Sequence, residues 1–290
     1  MSGALIWERD GAGWPNHQAS SFVVAAGLRW HVQRMGEGPD LLLVHGTGAS
    51  THSWRDLLPA LSRRFRVIAV DLPGHGFSGG IARRRSSVAG MSQALMLLLR
   101  EVGVAPTFCA GHSAGAAILC RMSLTEGFAP RLIASINGAF VPLGGAAGAL
   151  FSPIAKAFAA APFMSRLIAW HATDRAAVER VLASTGSNLD ERGIDLYARL
   201  VRDPGHIAGA LNMMAGWDLR SFERDIAALR VPLHLIVAQN DRTVPPSQAQ
   251  RIKERLSDAR LVSVPGLGHL AHEEKPVQFA QILAEIFAAV

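Results

Sequence analysis

Residues 108–115 read Phe-Cys-Ala-Gly-His-Ser-Ala-Gly, and they form the most informative junction of the sequence. An apolar run typical of a buried strand leads up to Gly111, and a helical pattern follows from about Ala114 to Leu124. The junction has the spacing G-x-S-x-G. Because Gly111 and Gly115 carry no side chains, they permit the strained strand-to-helix turn that would expose the Ser113 hydroxyl at a helix N-terminus. A plain glycine-rich turn would carry the same glycines, so the motif alone does not prove a nucleophile.

Strand and helix patterns alternate on both sides of this motif. A continuous apolar run such as Leu41–Val44 suits a strand that is buried on both faces of a parallel sheet. Alternation of strands with helices implies βαβ units, so we predict the α/β class with a mainly parallel, doubly wound sheet. The first strands should form a hairpin with a turn near Ala26-Gly27. The predicted strands are 21–24, 28–32, 41–44, 67–70, 107–110, 132–136, 233–237 and 261–264, and the predicted helices are 54–63, 87–102, 114–124, 247–256 and 277–289.

The alternation stops between Pro142 and Trp217. This region is rich in Ala, Phe and Met and has helical patterns, among them 176–183 and 196–201. We therefore predict a core formed by residues 1–141 and 218–290, and a helical cap formed by residues 142–217. Most large apolar side chains of the insertion should build the core of the cap, and a minority should line a pocket. These side chains are Phe151, Phe158, Phe163, Met164, Trp170, Met213, Met214 and Trp217.

Functional side chains of open α/β sheets collect at the carboxyl ends of the strands. Two predicted strand ends near the C-terminus carry Asp241 and His269. Taken alone, Asp241 is an ordinary turn residue before two prolines, and His269 is an ordinary loop histidine. Together with Ser113 they give the order nucleophile, acid, base, each at the end of a predicted strand. We therefore predict that Ser113 attacks the substrate, that His269 is the general base, and that Asp241 orients its imidazole.

Two absences narrow this assignment. The end of the strand 132–136 is another position at which the catalytic acid could lie, but no Asp or Glu follows this strand. Asp241 is therefore the best candidate. Ser instead of Asp at position 113 argues against a dehalogenase or epoxide hydrolase that uses a carboxylate nucleophile.

The glycine-rich segment His45–Ala49 follows another predicted strand and is the second part of the candidate site. The N–H of Thr47 is placed to point at an oxyanion, and the N–H of Ala114 would be the second donor. A turn that needs glycine only for its own geometry is the simpler interpretation. We expect the substrate to contact Gly46, His112, Met213 and Trp217.

Segments 71–78 and 268–276, together with the motif at 111–115, resemble the α/β-hydrolase superfamily, and the resemblance covers residues 22–290. A closer resemblance extends over nearly the whole chain, to the BchO-type magnesium chelatase accessory proteins of bacteriochlorophyll biosynthesis. That resemblance implies a role near the insertion of magnesium into protoporphyrin in a phototrophic bacterium. It also makes magnesium chelatase subunits candidate partners. The segments that carry it are 14–16, 27–33, 45–57, 111–117 and 213–219.

The composition excludes several classes of protein. Of the 290 residues, 49% are hydrophobic and 18% are charged, which excludes global disorder and suits one large domain or a core with an insertion. Cys109 and Cys120 are too few for a disulfide scaffold or a Cys-based zinc site, and both should be buried and inert. We predict no metal and no cofactor, because His269 and His272 alone are too few for a metal site.

Charge and hydropathy indicate where the protein acts. The net charge is +6, and Arg83-Arg84-Arg85 is most simply a solvated face, although it could attract an anionic ligand to the site. Nothing indicates a nucleic-acid partner. Residues 1–10 lack the features of a signal peptide, and the uncharged stretch 132–155 contains Pro and Gly that disfavour a spanning helix. We expect a cytoplasmic protein with at most peripheral membrane contact.

Two functions from different classes remain open. One is a serine hydrolase that acts on an ester or related acyl bond of an apolar substrate. The other is a non-hydrolytic accessory protein that retains the fold and binds a tetrapyrrole, or a chelatase subunit, under the cap. The fold itself cannot decide between them. For either function we expect an elongated, apolar pocket between Ser113 and the cap, with Arg83–Arg85 at its rim to pair with carboxylates.

Overall fold

An eight-stranded sheet runs through the centre of the protein. The computed structural model describes residues 4–141, 165 and 174–290. The strands are β1 (Ser20–Ala25), β2 (Leu28–Met35), β3 (Asp40–Val44), β4 (Arg66–Val70), β5 (Phe108–His112), β6 (Leu132–Ile136), β7 (Leu233–Ala238) and β8 (Ala259–Val264).

The strands lie in the order β1-β2-β4-β3-β5-β6-β7-β8. β1 pairs with β2, and β2 with β4, in antiparallel fashion, whereas all pairings from β4 onward to β8 are parallel. Parallel strands direct their carboxyl ends to the same edge, so the loops after β3, β5, β7 and β8 meet there. The predicted α/β class with a mainly parallel, doubly wound sheet is confirmed.

Helices cover both faces of the sheet and bury its alternating side chains. In β3, Leu42 and Val44 belong to one apolar cluster with the helices Val88–Glu101, Ala114–Ser123, Arg220–Asp225 and Ser247–Arg255. Leu41 and Leu43 belong to a second cluster with the helices Leu57–Leu61 and Pro276–Ala288. Such double burial requires side chains that are apolar on both faces, which explains the unbroken apolar runs of the sequence. The helices are α1 (Trp7–Asp10), α2 (Leu57–Leu61), α3 (Val88–Glu101), α4 (Ala114–Ser123), α5 (Arg175–Ser184), α6 (Glu191–Val201), α7 (Pro204–Gly216), α8 (Arg220–Asp225), α9 (Ser247–Arg255), α10 (Ala271–Glu274) and α11 (Pro276–Ala288).

The hairpin of β1 and β2 turns at Ala26 and Gly27, which have φ angles of 55° and 74°. Two consecutive positive φ angles are typical of the two-residue turn that matches the right-handed twist of paired strands. The hairpin predicted at this position is therefore present.

The predicted helix 54–63 is only partly correct. The chain forms a short 3-10 turn over Thr51–Trp54 and then α2 over Leu57–Leu61. The side chain of Arg55 is buried in an ion pair with Glu273, so this segment follows tertiary contacts instead of one continuous helix. The short helices α1, α8 and α10 were not expected, because pieces of four to six residues leave almost no periodic signal.

The helices α5, α6 and α7 lie between β6 and β7 in the chain, and we call them the inserted helices. Each begins after an aspartate, Asp174, Asp190 or Asp203, whose side chain accepts a hydrogen bond from an N–H two or three residues further on. Apolar side chains of α5 and α6 form a third cluster together with Trp14 from the N-terminal segment, whereas Met213 of α7 belongs to the cluster that contains α3 and α4. The predicted pocket or cap residues Phe151, Phe158, Phe163, Met164 and Trp170 lie outside the described residues.

Cys109 and Cys120 are free and fully buried, as predicted. Burial raises the pKa of both thiols, so neither is a thiolate at neutral pH. Within the described residues, no helix has the length and hydropathy needed to span a membrane.

Candidate active site

Ser113 lies in a strained turn between β5 and α4. Its φ of 50° and ψ of −116° fall in a region that L-residues rarely adopt, and its side chain is almost fully buried. A Cβ atom at Gly111 would lie 2.5 Å from the backbone N of Ala116, and one at Gly115 would overlap the carbonyl oxygen of Val44. Both glycines of the motif are therefore needed for close packing around the serine, which is the geometry of a nucleophile elbow.

Asp241 and His269 are joined by a hydrogen bond. Nδ1 of His269 lies 2.7 Å from Oδ2 of Asp241, and because a carboxylate only accepts, Nδ1 carries the proton. Oδ1 of Asp241 accepts hydrogen bonds from the N–H groups of Thr243 and Val244 at 2.7 and 2.8 Å. The carboxylate is thus held on both oxygens, and it directs Nε2 of His269 away from itself.

Ser113 is close to this pair but is not hydrogen bonded to it. The ring of His112, the residue before Ser113, is 4.6 Å from the ring of His269. Among the hydrogen bonds of the described residues, none joins Oγ of Ser113 to the imidazole of His269. Such contacts are often long in structures without substrate and shorten when substrate binds. The structure therefore pairs His269 with Asp241 and places His112, the residue before Ser113, against the ring of His269.

Two side chains hold the backbone of His269. Nε2 of His112 and Nδ2 of Asn137 each donate to the carbonyl oxygen of His269 at 2.9 Å. Asn137 also donates to the carbonyl of Gly268 at 3.2 Å and accepts from the N–H of Ala238 at 2.8 Å. It is buried, has a φ of 47°, and follows β6, the strand end at which no carboxylate was predicted. Its contacts cannot be predicted from the sequence, because the partners are backbone groups.

The glycine-rich loop after β3 lies against the serine. A Cβ atom at Gly46 would come within 2.9 Å of both Ser113 Cβ and His112 Nδ1, so only glycine fits there. Within the described residues, the N–H groups of Thr47 and Ala114 have no hydrogen-bond acceptor. Ala114 is the first residue of α4, where a free N–H is expected. Both predicted oxyanion donors are thus available.

The other predicted substrate contacts are on or near α7. Met213 is fully buried, and its sulfur accepts a hydrogen bond from Oγ1 of Thr47 at 3.4 Å. Trp217 is half-buried and packs against the apolar cluster that contains α3 and α4. Arg83, Arg84 and Arg85 form a 3-10 turn in which the first two side chains are exposed.

His206 of α7 connects the inserted helices to the loops of the candidate site. Its Nδ1 accepts from the N–H of Gly76 at 3.1 Å, and its Nε2 donates to the carbonyl of Gly48 at 3.0 Å. These two bonds require a neutral ring, and burial lowers the pKa of His206 to about 4. Gly48 follows Thr47, so α7 fixes the loop that carries an oxyanion donor. Nothing in the local sequence around His206 predicts these contacts.

A buried ion pair, together with a tyrosine of α6, connects this helix to the core. Nη1 of Arg55 lies 2.5 Å from Oε2 of Glu273, and the hydroxyl of Tyr197 donates to Oε1 of Glu273 at 2.8 Å. Burial raises the pKa of Glu273 to about 7, and the nearby guanidinium only partly opposes this. In the described residues, no group of three or more His, Cys, Asp or Glu side chains is arranged to hold a metal ion.

Comparison with known proteins identifies the family. Residues 41–282 match the family model described as "Alpha/beta hydrolase family". The chain belongs to the α/β-hydrolase family. The match spans the sheet from β3 to β8 and every residue of the candidate site, so the resemblance drawn from the sequence motifs is confirmed for this α/β hydrolase.

Two relatives of this α/β hydrolase carry informative names. The "Magnesium-chelatase 30 kDa subunit" of Rhodobacter capsulatus is 38% identical over 264 residues, which cover 90% of this chain and 92% of that protein. The resemblance to magnesium chelatase accessory proteins is thereby confirmed. The "Pimeloyl-[acyl-carrier protein] methyl ester esterase" of Nitrosospira multiformis is 28% identical over 260 residues, which cover 86% of this chain and 94% of that protein.

Solved structures agree on the fold. The epoxide hydrolase CorEH matches with a TM-score of 0.79 and 22% identity over 93% of this chain and 98% of that chain. An α/β-hydrolase fold protein from Burkholderia ambifaria matches with a TM-score of 0.77 and 24% identity over 92% of this chain and 97% of that chain. At such identities the likeness concerns the fold alone.

Proposed function

We propose that this α/β hydrolase cleaves an ester or related acyl bond of an apolar substrate, with Ser113 as the nucleophile. The observation that carries the proposal is the hydrogen bond of 2.7 Å between His269 and Asp241, next to a serine held in a strained elbow. A surface loop histidine or an ordinary turn aspartate would have no reason to be buried and paired at this place. The relative named as a methyl ester esterase supports ester chemistry.

Each residue then has a defined role in acyl transfer. Nε2 of His269 removes the proton as Oγ of Ser113 attacks the carbonyl carbon, and Asp241 stabilises the imidazolium that forms. The N–H groups of Thr47 and Ala114 bind the oxyanion of the tetrahedral intermediate. His269 returns its proton to the leaving alcohol, and the acyl group stays on Ser113. Water activated by His269 then releases the acid and restores the serine.

The inserted helices serve as part of a cap over this site, with residues 142–217 as the cap and the rest of the chain as the core. His206 and Met213 support this assignment, because both bind the loop at the carboxyl end of β3. A cap of apolar composition would exclude water and favour an apolar acyl or alcohol group. Gly46, His112, Met213 and Trp217 are proposed to surround that group.

Covalent labelling tests the proposal directly. The purified protein is treated with a fluorophosphonate, and the labelled residue is located by peptide mass spectrometry. We expect labelling at Ser113, its loss in Ser113→Ala, and a labelling rate roughly 10³- to 10⁴-fold lower in Asp241→Asn, where the amide favours the wrong imidazole tautomer. Exposed Ser184→Ala is the control and should be labelled as fast as the original protein. An unlabelled Ser113 in folded protein would exclude this function.

A second candidate is favoured by one observation, the identity of 38% along 90% of the chain to a magnesium chelatase subunit. In this alternative the protein binds a protoporphyrin-like molecule, or a chelatase subunit, and does not hydrolyse it. It would act near magnesium insertion in bacteriochlorophyll biosynthesis. The same identity also supports placing a hydrolase in that pathway, so the ligand must be tested separately from the reaction.

Tryptophan fluorescence can separate the two ligand classes. Protoporphyrin is titrated into the protein, and saturable quenching indicates binding near the apolar site. Arg83, Arg84 and Arg85 are then replaced by Ala, and Arg63→Ala with Arg64→Ala is the control, because that exposed pair precedes β4 at the opposite edge of the sheet. Weaker binding only in the first variant supports a carboxylate-bearing tetrapyrrole with an arginine rim. Quenching that never saturates excludes the tetrapyrrole.

A further inference from the structure

The turn that follows α5, residues Thr185–Asn188, contacts two loops of the candidate site. One is the loop after β7 that carries Asp241, the acid loop, and the other is the loop after β8 that carries His269, the base loop. The carbonyl oxygen of Thr185 accepts from the N–H of Arg242 at 3.0 Å and from the N–H of His269 at 3.3 Å. One backbone oxygen therefore joins the loop of Asp241 to the loop of His269. We call residues 185–188 the inter-loop turn.

The inter-loop turn holds the base loop at further points. Oγ of Ser187 accepts from the N–H of Leu270 at 2.8 Å, and Ser187 is buried. The carboxylate of Glu274 accepts from the N–H of Asn188 at 3.0 Å and, through its other oxygen, from the N–H of Gly268 at 2.9 Å. The base loop is thus bound to the turn before, at and after His269.

Glycines allow the three segments to approach one another. Gly186 has a φ of 86°, and a Cβ atom there would overlap the carbonyl oxygen of Asn240. A Cβ atom at Gly268 would overlap the backbone of Gly186 in turn. Side chains are therefore excluded at both contacts, and the residues flanking Asp241 and His269 pack directly on the turn.

We propose that the inter-loop turn sets the distance and angle between Asp241 and His269, with Ser187 as a positioning residue for catalysis. This inference rests on the proposed serine hydrolase function. The turn belongs to the inserted segment and not to the strands that carry the acid and the base. The insertion accordingly completes the catalytic geometry and does more than cover it. The hydrogen bond of 2.7 Å between His269 and Asp241 is the quantity that the turn controls.

A matched set of serine variants tests this role. Ser187→Ala removes the acceptor for Leu270, Ser187→Thr retains a hydroxyl, and Ser184→Ala removes only an exposed contact to the carbonyl of Val181 within α5. The rate of fluorophosphonate labelling, the thermal midpoint and the downfield proton resonance on Nδ1 of His269 are measured for each. The resonance is read from protein labelled with ¹⁵N-histidine.

We expect Ser187→Ala to label about 10- to 100-fold more slowly, with a broadened or absent downfield resonance, because a small displacement of a catalytic group is costly. Ser187→Thr should restore both, and Ser184→Ala should change neither. A Ser187→Ala protein with a lower thermal midpoint but unchanged labelling and resonance would show that the turn only docks the insertion. If the original protein is not labelled at all, the hydrolase function fails, and the resonance alone decides whether the turn positions His269.

Discussion

At the scale of single residues, the candidate site depends on side chains that hold backbone groups in place. Asn137 is the clearest case, because its amide donates to two backbone carbonyls of the base loop and accepts from β7. A carboxylate at this position would place a negative oxygen against the carbonyl of His269. The amide suits this position for a physical reason, since it supplies both the donor and the acceptor that are used here, whereas an ionised carboxylate can only accept.

We expect Asn137→Asp to lower the free energy of unfolding by about 1–3 kcal/mol and to slow the labelling of Ser113, because two buried carbonyl groups lose their hydrogen-bond donor. The matched control is Asn16→Asp. Asn16 also has a positive φ, of 55°, and its amide donates to the carbonyl of Arg55 at 2.9 Å. Urea denaturation and labelling of Ser113 are measured for both variants. Equal loss of stability with equal labelling rates in the two variants would contradict a link between Asn137 and the base.

The sequence predicts Ser113, Asp241 and His269 because side chains with distinctive chemistry stand at strand ends in a particular order. It does not predict the roles of Asn137 or Ser187, since their partners are backbone N–H and C=O groups, which are the same in every residue. Leu270 and Ser187 are 83 positions apart, and no local pattern connects them.

At the scale of elements, α7 is the helix that binds the insertion to the core. Gly209 packs against Gly74 of the loop after β4, and a Cβ atom there would overlap the carbonyl oxygen of Gly74. His206, one turn earlier, bonds to Gly48 and Gly76. The helix thus reaches the loops that follow both β3 and β4.

Replacing Gly209 by Ala should force α7 away from the loop and lower the free energy of unfolding by about 1–3 kcal/mol, the usual cost of overpacking. The control is Gly80→Ala in the same loop as Gly74. This position is exposed, a Cβ atom there would meet no other atom within 4 Å, and the change should alter stability by no more than about 0.5 kcal/mol. Urea denaturation compares the two. If both alanines are tolerated equally, the contact between α7 and the loop does not stabilise the fold.

The strands and long helices could be predicted from the sequence, but the contacts between the inserted helices and the core could not. Apolar runs and the 3.6-residue period report burial, and burial is what the main elements share. The approach of Gly209 to Gly74 depends on the absence of side chains at two remote positions. From the sequence alone, a glycine within a helical pattern is as consistent with a position that merely weakens the helix as with a close contact between backbones.

At the scale of the whole molecule, the protein buries many neutral histidines. Burial lowers the pKa of His45, His75 and His272 to about 3 and that of His206 to about 4, from an ordinary 6.5. The unfolded chain takes up these protons near pH 6.5, whereas the folded protein resists until the pH is far lower. Stability from these groups is therefore present above pH 6.5 and is lost as the pH falls below it.

Glu273 acts in the opposite direction. Burial raises the pKa of Glu273 from 4.5 to about 7, so the folded protein holds this proton more tightly than the unfolded chain does. Its contribution to the free energy of unfolding is therefore complete below pH 4.5 and is lost as the pH rises through 7. One carboxyl group opposes four imidazoles, and the imidazoles should prevail. We predict a free energy of unfolding that is several kcal/mol lower at pH 5 than at pH 7.5.

Urea denaturation at constant ionic strength checks this prediction. His206→Gln should show a smaller change between the two pH values than the original protein, and exposed His17→Gln should show the same change. Equal stability at both pH values would mean that the buried imidazoles do not govern the acid sensitivity.

The inter-loop turn also determines which residues of the insertion could be exchanged in a chimeric protein. The break in strand and helix alternation marks residues 142–217 as one exchangeable unit. Residues 185–188 are nevertheless hydrogen bonded to Arg242 and His269 through the backbone, to Leu270 through the side chain of Ser187, and to Gly268 through the carboxylate of Glu274. A chimera that replaces the whole unit would remove those bonds together with the proposed cap. A graft that ends before Thr185 would keep them, so the practical splice junction for swapping specificity lies inside the insertion, about thirty residues before the boundary that the sequence suggests.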